Sequence, residues 1–183
     1  MGKSLLLDAY RAVLDVILCD PKSGHISWKH RDCASRKWNT RYAGQKAGTV
    51  NSAGYWVIDF KHAGKKYILL SHRVMWLHVY GLFPSGVIDH IDGVPTNNCI
   101  SNLRDVSRSC NMRNAAMRRN NSSGVTGVFW RKDRKRWCAR SKAICGKVVH
   151  LGLFESIHDA RIAITGFRAG NGYTDRHGAK GNE

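Results

Sequence analysis

The sequence predicts an α+β protein of small antiparallel sheets and short helices, and three observations carry that expectation. Its 183 residues suit one large domain or two small ones, with 43% hydrophobic content for a modest core. Apolar residues come in short strand-like bursts separated by Gly, Asn and Lys turns, with helical spacing in only a few segments. A polar run without apolar anchors, RRNNSSG at 118–124, separates two different rhythms and is the best linker candidate.

Along the chain, Leu6, Ala9, Tyr10, Val13, Leu14 and Ile17 recur at helical spacing, so an N-terminal helix is expected over 3–18, within a segment bounded at 1–19. After the turn PKSG, His25–Trp28 reads as a strand, and the basic stretch 29–46 as an irregular connection. Residues 55–60 and 66–70, joined across His62–Lys65, form a β-hairpin, and Ser71 is expected to cap a helix that stops at Gly81. A strand through Val87–Ile88, a long polar loop, a second strand at Leu103–Val106 and a helix from Ser107 to about Arg118 follow. Beyond the linker, strands at 125–130, 136–142 and 148–153 precede a helix from Ser156 that buries Ala160, Ala163, Ile164 and Phe167. The Gly-rich end, 171–183, is expected to be a flexible tail.

Charge narrows the function. Thirty Lys and Arg against thirteen Asp and Glu give +17, more than solubility requires, so a polyanionic partner is expected. No stretch approaches the ~20 apolar residues of a membrane span, and the cations are interleaved with Trp and Gly, which favours nucleic acid over a membrane surface. Asp8, Arg11 and Asp15 interrupt the N-terminal apolar run, so it is not read as a secretory signal. Six cysteines without any C-x-x-C pair argue against a zinc ribbon and do not suggest a disulfide framework; they are read as reduced thiols of a cytoplasmic protein.

The segment VIDHIDGVPTNNCISNLRDVSRSCN, 87–111, concentrates the chemistry. Phosphodiester hydrolysis needs a base for water, positive charge at the phosphate and a group that orients the base. A histidine with pKa near ~6.5 suits the first role, carboxylate and amide oxygens suit a hard cation, and an Asn oxygen can accept the imidazole N–H. Asp89 and His90 are adjacent at a strand end, Asn102 lies twelve residues beyond His90, and Asn111 nine further, on the expected helix. As a rival reading, DHIDG is a hydrogen-bonded turn whose asparagines serve as caps.

The pattern Asp89-His90, Ile91-Asp92-Gly93, Asn97-Asn98, Asn102-Leu103 and Asn111, preceded by Ser71-His72-Arg73-Val74-Met75-Trp76, resembles the HNH endonucleases of the phage homing type, tightly over 71–116 and more loosely from Asp20. The resemblance implies a nuclease domain over 20–117 with a ββα-metal core at 71–117. It implies His90 as general base, Asn102 as its orienting partner, and Asp89 with Asn111 as ligands of one divalent ion, magnesium or alternatively manganese. Many members carry histidine where this chain has Asn111, which disfavours zinc; Asn114, one turn on, is the alternative ligand. Asp92, Asn97 and Asn98 are assigned to shaping the loop. His72, Arg73 and His78 are assigned to packing or phosphate contact.

Gly124-Val125-Thr126-Gly127-Val128, Trp137-Cys138-Ala139-Arg140, Leu151-Gly152-Leu153-Phe154 and Asp159-Ala160 resemble the DNA-binding domain of the plant Apetala and ethylene-response-factor proteins, over 124–170. That resemblance implies a three-stranded sheet, backed by a helix, lying in the major groove. Arg131, Arg140, Lys142 and His150 would then point toward DNA, with Trp137 either stacking at the backbone or belonging to the core. Thr126, Phe129 and Val148 replace basic contacts of the plant domains, so base preference is not transferred. From Arg104 to Lys147 there are thirteen basic and two acidic residues, and Arg104, Arg108, Arg113, Arg118, Arg134 and Lys135 join the expected DNA contacts.

The expectation is therefore a metal-dependent endonuclease acting on double-stranded DNA, without a membrane or evident protein partner, working in the cytoplasm of a host cell if phage-encoded. A DNA-binding regulator that keeps the nuclease scaffold is the rival, and an RNA-binding protein is weaker because no RNP-like aromatic motif or KH loop is present.

Overall fold

The computed structural model describes residues 2–175 and 177–179. The chain is α+β, and all its sheets are antiparallel. It forms two compact units that divide between Val106 and Ser107.

In the first unit, helix α1 (Gly2–Val13) buries Ala9, Tyr10 and Val13. It is shorter than its apolar spacing suggests, because Ile17 belongs to β1 (Ile17–Asp20), which pairs with β2 (His25–Trp28). Two local effects end the helix: β-branched Val16 and Ile17 favour the strand, and Asp20 organises the turn by accepting from Lys22 N at 3.0 Å and Ser23 Oγ at 2.6 Å. The stretch read as irregular contains helix α2 (Arg36–Tyr42), whose Ser35 N-cap accepts from Trp38 N. This helix buries no residue, so it left no apolar periodicity to read.

Strands β3 (Thr49–Val50), β4 (Trp56–His62) and β5 (Lys65–Leu70) form one sheet. The β4–β5 hairpin turns at Ala63-Gly64, both at positive φ (48° and 77°), the geometry whose twist matches flanking strands. Helix α3 (Ser71–Tyr80) follows and ends at Gly81 in the left-handed conformation. Ser71 is not its cap: Leu70 holds that position and Ser71 is the first helical residue, buried within the packed face. Strands β6 (Val87–His90) and β7 (Leu103–Val106) pair with Asp89 opposite Arg104 and His90 opposite Leu103. A shared core of α1, β2, β4, β5 and α3, including Ile26, Ile58, Leu69 and Met75, underlies these elements.

The second unit contains α4 (Arg108–Arg113), the sheet β8 (Val128–Arg131), β9 (Arg136–Lys142) and β10 (Val148–Phe154), and α5 (Ile157–Ala169). Ser156 caps α5 by accepting from His158 N, and Ala160 and Ile164 pack on Val128 and Ala139. Helix α4 ends at Arg113, short of the expected Arg118, because the following backbone bonds elsewhere: Gly178 N donates to Ala115 O and Met117 N to Ala179 O. Nor is 118–124 a bare connection, since Ser123 Oγ donates to Val128 O at 2.6 Å and Asn121 Nδ2 to Val125 O. Of the tail expected over 171–183, residues 176 and 180–183 lie outside the described residues, as does residue 1 of the N-terminal segment. The rest of that tail is tied down: Tyr173 Oη donates to Lys142 O at 2.9 Å and Thr174 Oγ1 to Asn114 Oδ1 at 2.7 Å. Composition reads as flexible here because its side chains are polar, yet polar groups anchor a segment once their partners are in reach.

Candidate active site and nucleic-acid interface

Asp89 and His90 lie at the end of β6, 6% and 5% exposed. Two polar residues at the end of a short strand are buried because each has a partner. Asp89 Oδ2 accepts from Arg104 Nε at 2.9 Å and Nη2 at 2.6 Å, across the β6–β7 ladder. Arg104, expected at the DNA, is therefore engaged with the carboxylate expected to bind metal.

His90 Nε2 lies 3.2 Å from Asn98 Oδ1, and Asn98 is 3% exposed. An amide oxygen only accepts, so Nε2 is the donor in this contact. This corrects the expected pairing with Asn102. The Asn102 side chain is spent on the loop: Oδ1 accepts from Asp92 N, while Nδ2 donates to Asp92 Oδ1 and Asn97 O, all at 2.9 Å. Asp92 also accepts from Val94 N and Asn97 Nδ2. Burial opposes its ionisation, but these bonds and the nearby His90 outweigh it, and its carboxyl titrates below the ordinary value.

The loop is braced from the β1–β2 turn. Ile100 N donates to Pro21 O at 2.9 Å and Cys99 Sγ to Lys22 O at 2.7 Å. A Cβ on Gly24, at φ 71°, would stand 2.4 Å from Asn98 C and Cys99 N, so only glycine permits this approach.

Two rings that the sequence did not single out for the site border His90. His72 meets it edge-on at 5.2 Å, and Tyr55 lies 6.1 Å from His90 and 5.5 Å from His72. Burial, then the neighbouring His90 and Arg73, lowers the His72 pKa to about 3. The ring is neutral and buried against its neighbours. Tyr55 had no signal: it sits in a hairpin far away in sequence.

Asn111 lies on α4 in the second unit, and Asn114 at its C-cap is buried. Among the described residues, no group of three or more His, Cys, Asp or Glu gathers as a metal site.

On the second unit's sheet, register separates two faces. Val128, Trp130, Trp137, Ala139 and Ser141 share the face toward α5, whereas Phe129, Arg131, Arg136, Cys138, Arg140, Lys142 and His150 share the other. Arg140, Lys142 and His150 are exposed there. Trp137 is resolved to the core alternative, packed on the α5 side and edge-on to Trp130 at 5.2 Å. Arg131 pairs with Asp133, and Arg134 approaches the same carboxylate at 3.7 Å. Exposed Lys135 occupies the turn at φ 47°. Arg108 and Arg118 are exposed, and Arg113 Nη2 donates to Ile144 O at 3.1 Å.

The family model described as HNH endonuclease matches residues 70–113. Protein 3.8 of Escherichia phage T7 is 39% identical over 67 residues, which cover 36% of this chain and 55% of that protein. The chain thus spans about half the length of this curated relative. A solved structure of DNA binding and cleavage by the HNH homing endonuclease I-HmuI is a loose resemblance, with TM-score 0.41 and 18% identity over 73% of this chain and 70% of that one. The strand pair with Asp89 and His90, the Asn98 loop and helix α4 all fall inside the segment, 70–113, that is similar to the HNH endonuclease family model.

Proposed function

We propose that the protein is a metal-dependent DNA endonuclease of the homing type, in which residues 70–113 cut and the C-terminal sheet module, of the Apetala/ethylene-response-factor kind, binds DNA. The observation that carries this reading is the buried His90, its Nε2 against Asn98 Oδ1 and its neighbour Asp89 ionically held. In this reading His90 accepts the proton of the attacking water, Asn98 orients its ring, and Asp92 and Asn102 keep the loop in shape.

Asp89, with Asn111 or alternatively Asn114, would hold the divalent ion. These donors are oxygens, which fit magnesium or manganese better than zinc. When bound, the ion would supply positive charge at the scissile phosphate. Arg104 holds the Asp89 carboxylate in orientation. The open face of the C-terminal sheet, with Arg140, Lys142 and His150, supplies affinity for duplex DNA through phosphate and base-edge contacts.

A nicking assay with purified protein, magnesium and a panel of long duplexes tests the reading. Cleavage is expected from the wild type and not from His90→Ala, with gel-shift affinity kept. Wild-type binding without cleavage across metals and targets favours the second reading, a DNA-binding regulator. That reading draws on one observation, the Arg104 pair on Oδ2 of the proposed ligand Asp89.

A further inference from the structure

The second unit holds a concave site of about 590 Å3, lined within that unit alone by the end of α4, the chain after it, and the β8–β9 face. Five of its lining residues are cations, Arg113, Arg118, Arg140, Lys142 and Arg168, and no Asp or Glu is among its described lining residues. Met112 and Phe129 give it an apolar floor, and the Arg140 guanidinium stands 4.8 Å from the Phe129 ring centre. Asn120 and Ser122 add amide and hydroxyl groups.

Each feature constrains the occupant. The volume lies in the range of small-ligand pockets, roughly 300–1,000 Å3. Uncompensated positive charge selects an anion, and an apolar floor with a cation-covered aromatic ring selects a flat, polarisable group beside that anion. A duplex offers neither inside a concavity, because its bases are stacked and its phosphates lie on a convex surface. An unpaired nucleotide offers both.

We infer that this pocket binds one unpaired nucleotide, its base over Phe129 and its phosphate among Arg118, Lys142 and Arg140. The nucleotide comes either from a base turned out of bound duplex or from a free single strand; turning it out costs a few kcal/mol of unstacking. The inference rests on the proposed function only in taking nucleic acid as the ligand, and it makes no use of His90 or Asp89.

Ala116→Trp tests it, since Ala116 is exposed, lines the pocket and carries no charge, so the variant fills the space without altering duplex electrostatics. Ala115→Phe, at the neighbouring lining position, is the second variant should the first fail to fold by circular dichroism. The full-length protein is titrated with fluorescent oligo-thymidylate, with thymidine 5′-monophosphate as competitor, and with duplex carrying 2-aminopurine. Single-strand affinity is expected to fall on the order of tenfold in the filled variant, the scale of one lost base stack, with duplex affinity kept. Competition by the mononucleotide identifies a free strand as the source; 2-aminopurine emission that rises with wild type and not with the variant identifies a turned-out base. Equal single-strand affinity in wild type and filled variants overturns the inference. Cleavage by the wild type in that case leaves the nuclease reading standing, whereas pocket-dependent binding without any cleavage leaves only the pocket.

Discussion

His90 Nε2 and Asn98 Oδ1 meet at 3.2 Å inside the loop between β6 and β7, with both residues almost fully buried. Replacing Asn98 by Ala removes an acceptor that meets Nε2. Turnover in the nicking assay is expected to fall roughly 10- to 100-fold, as for other partners that orient a functional histidine, with DNA affinity kept. Asn98→Asp is expected to move the rate–pH profile to higher pH, because a carboxylate favours the imidazolium. An unchanged profile in both variants would remove Asn98 from the mechanism.

Gly24 is expected to be intolerant of alanine although it lies in a surface hairpin. The added Cβ would stand 2.4 Å from backbone of Asn98 and Cys99, and φ 71° is costly for alanine. Destabilisation of about 1–3 kcal/mol is expected, with a matching loss of nicking, measured by urea unfolding. Gly64, where a Cβ meets nothing within 4 Å, serves as the comparison: it shares the φ penalty without the clash.

Arg104→Ala leaves a buried carboxylate without its guanidinium. Arg104 is one-third exposed, so the full cost of breaking a buried pair is not expected; roughly 1–3 kcal/mol is. Asp89→Asn added to Arg104→Ala should recover part of that loss, because no charge then remains to be solvated. A double-mutant cycle with no coupling would mean that the ion pair does not act in solution as it does in the fold.

His72 ties stability to pH. Its pKa is about 3 in the fold against 6.5 ordinarily, so the unfolded chain takes up a proton first as pH falls. The stability it contributes is complete above about pH 6.5 and declines as pH drops toward about 3. His177, lowered to about 4 by burial and then Arg168, acts in the same direction. Urea midpoints at about pH 7 and about pH 5 should fall less in His72→Gln than in the wild type; equal falls would contradict the assignment.

The two faces of the C-terminal sheet predict separable effects. Arg140→Ala and Lys142→Ala should each flatten the dependence of log binding constant on log salt by about one, as expected for a lost phosphate contact. Trp137→Ala should lower the melting temperature and leave that slope unchanged, since Trp137 packs on the α5 side.

Much of the architecture was legible because it is written in local patterns. The β4–β5 hairpin, the Gly81 helix stop, the β6–β7 pair and the three C-terminal strands with α5 all follow from alternation, caps and turn residues. Helix α2 was illegible because it buries nothing, and the last turn predicted for α1 was lost to β1 because a hairpin partner competed for Ile17. The order at 118–123 and at Tyr173 and Thr174 was hidden because polar residues signal loops, and only distant partners such as Lys142 and Asn114 show what they hold.

The sequence by itself determined the chemistry available: a basic chain, an aspartate and histidine at a strand end, and four asparagines downstream. Which asparagine serves which group was decided by tertiary structure. Asn98 and Asn102 have the same side chain and lie four residues apart, and local propensity cannot rank them. The Gly24 turn presses the backbone at Asn98 and Cys99, Asp92 captures Asn102, and the amide of Asn98 meets His90 Nε2. The same holds for Arg104, whose side chain reads as a DNA contact until the ladder sets it opposite Asp89. A buried charge takes the nearest partner that satisfies it, and nearness is a property of the fold.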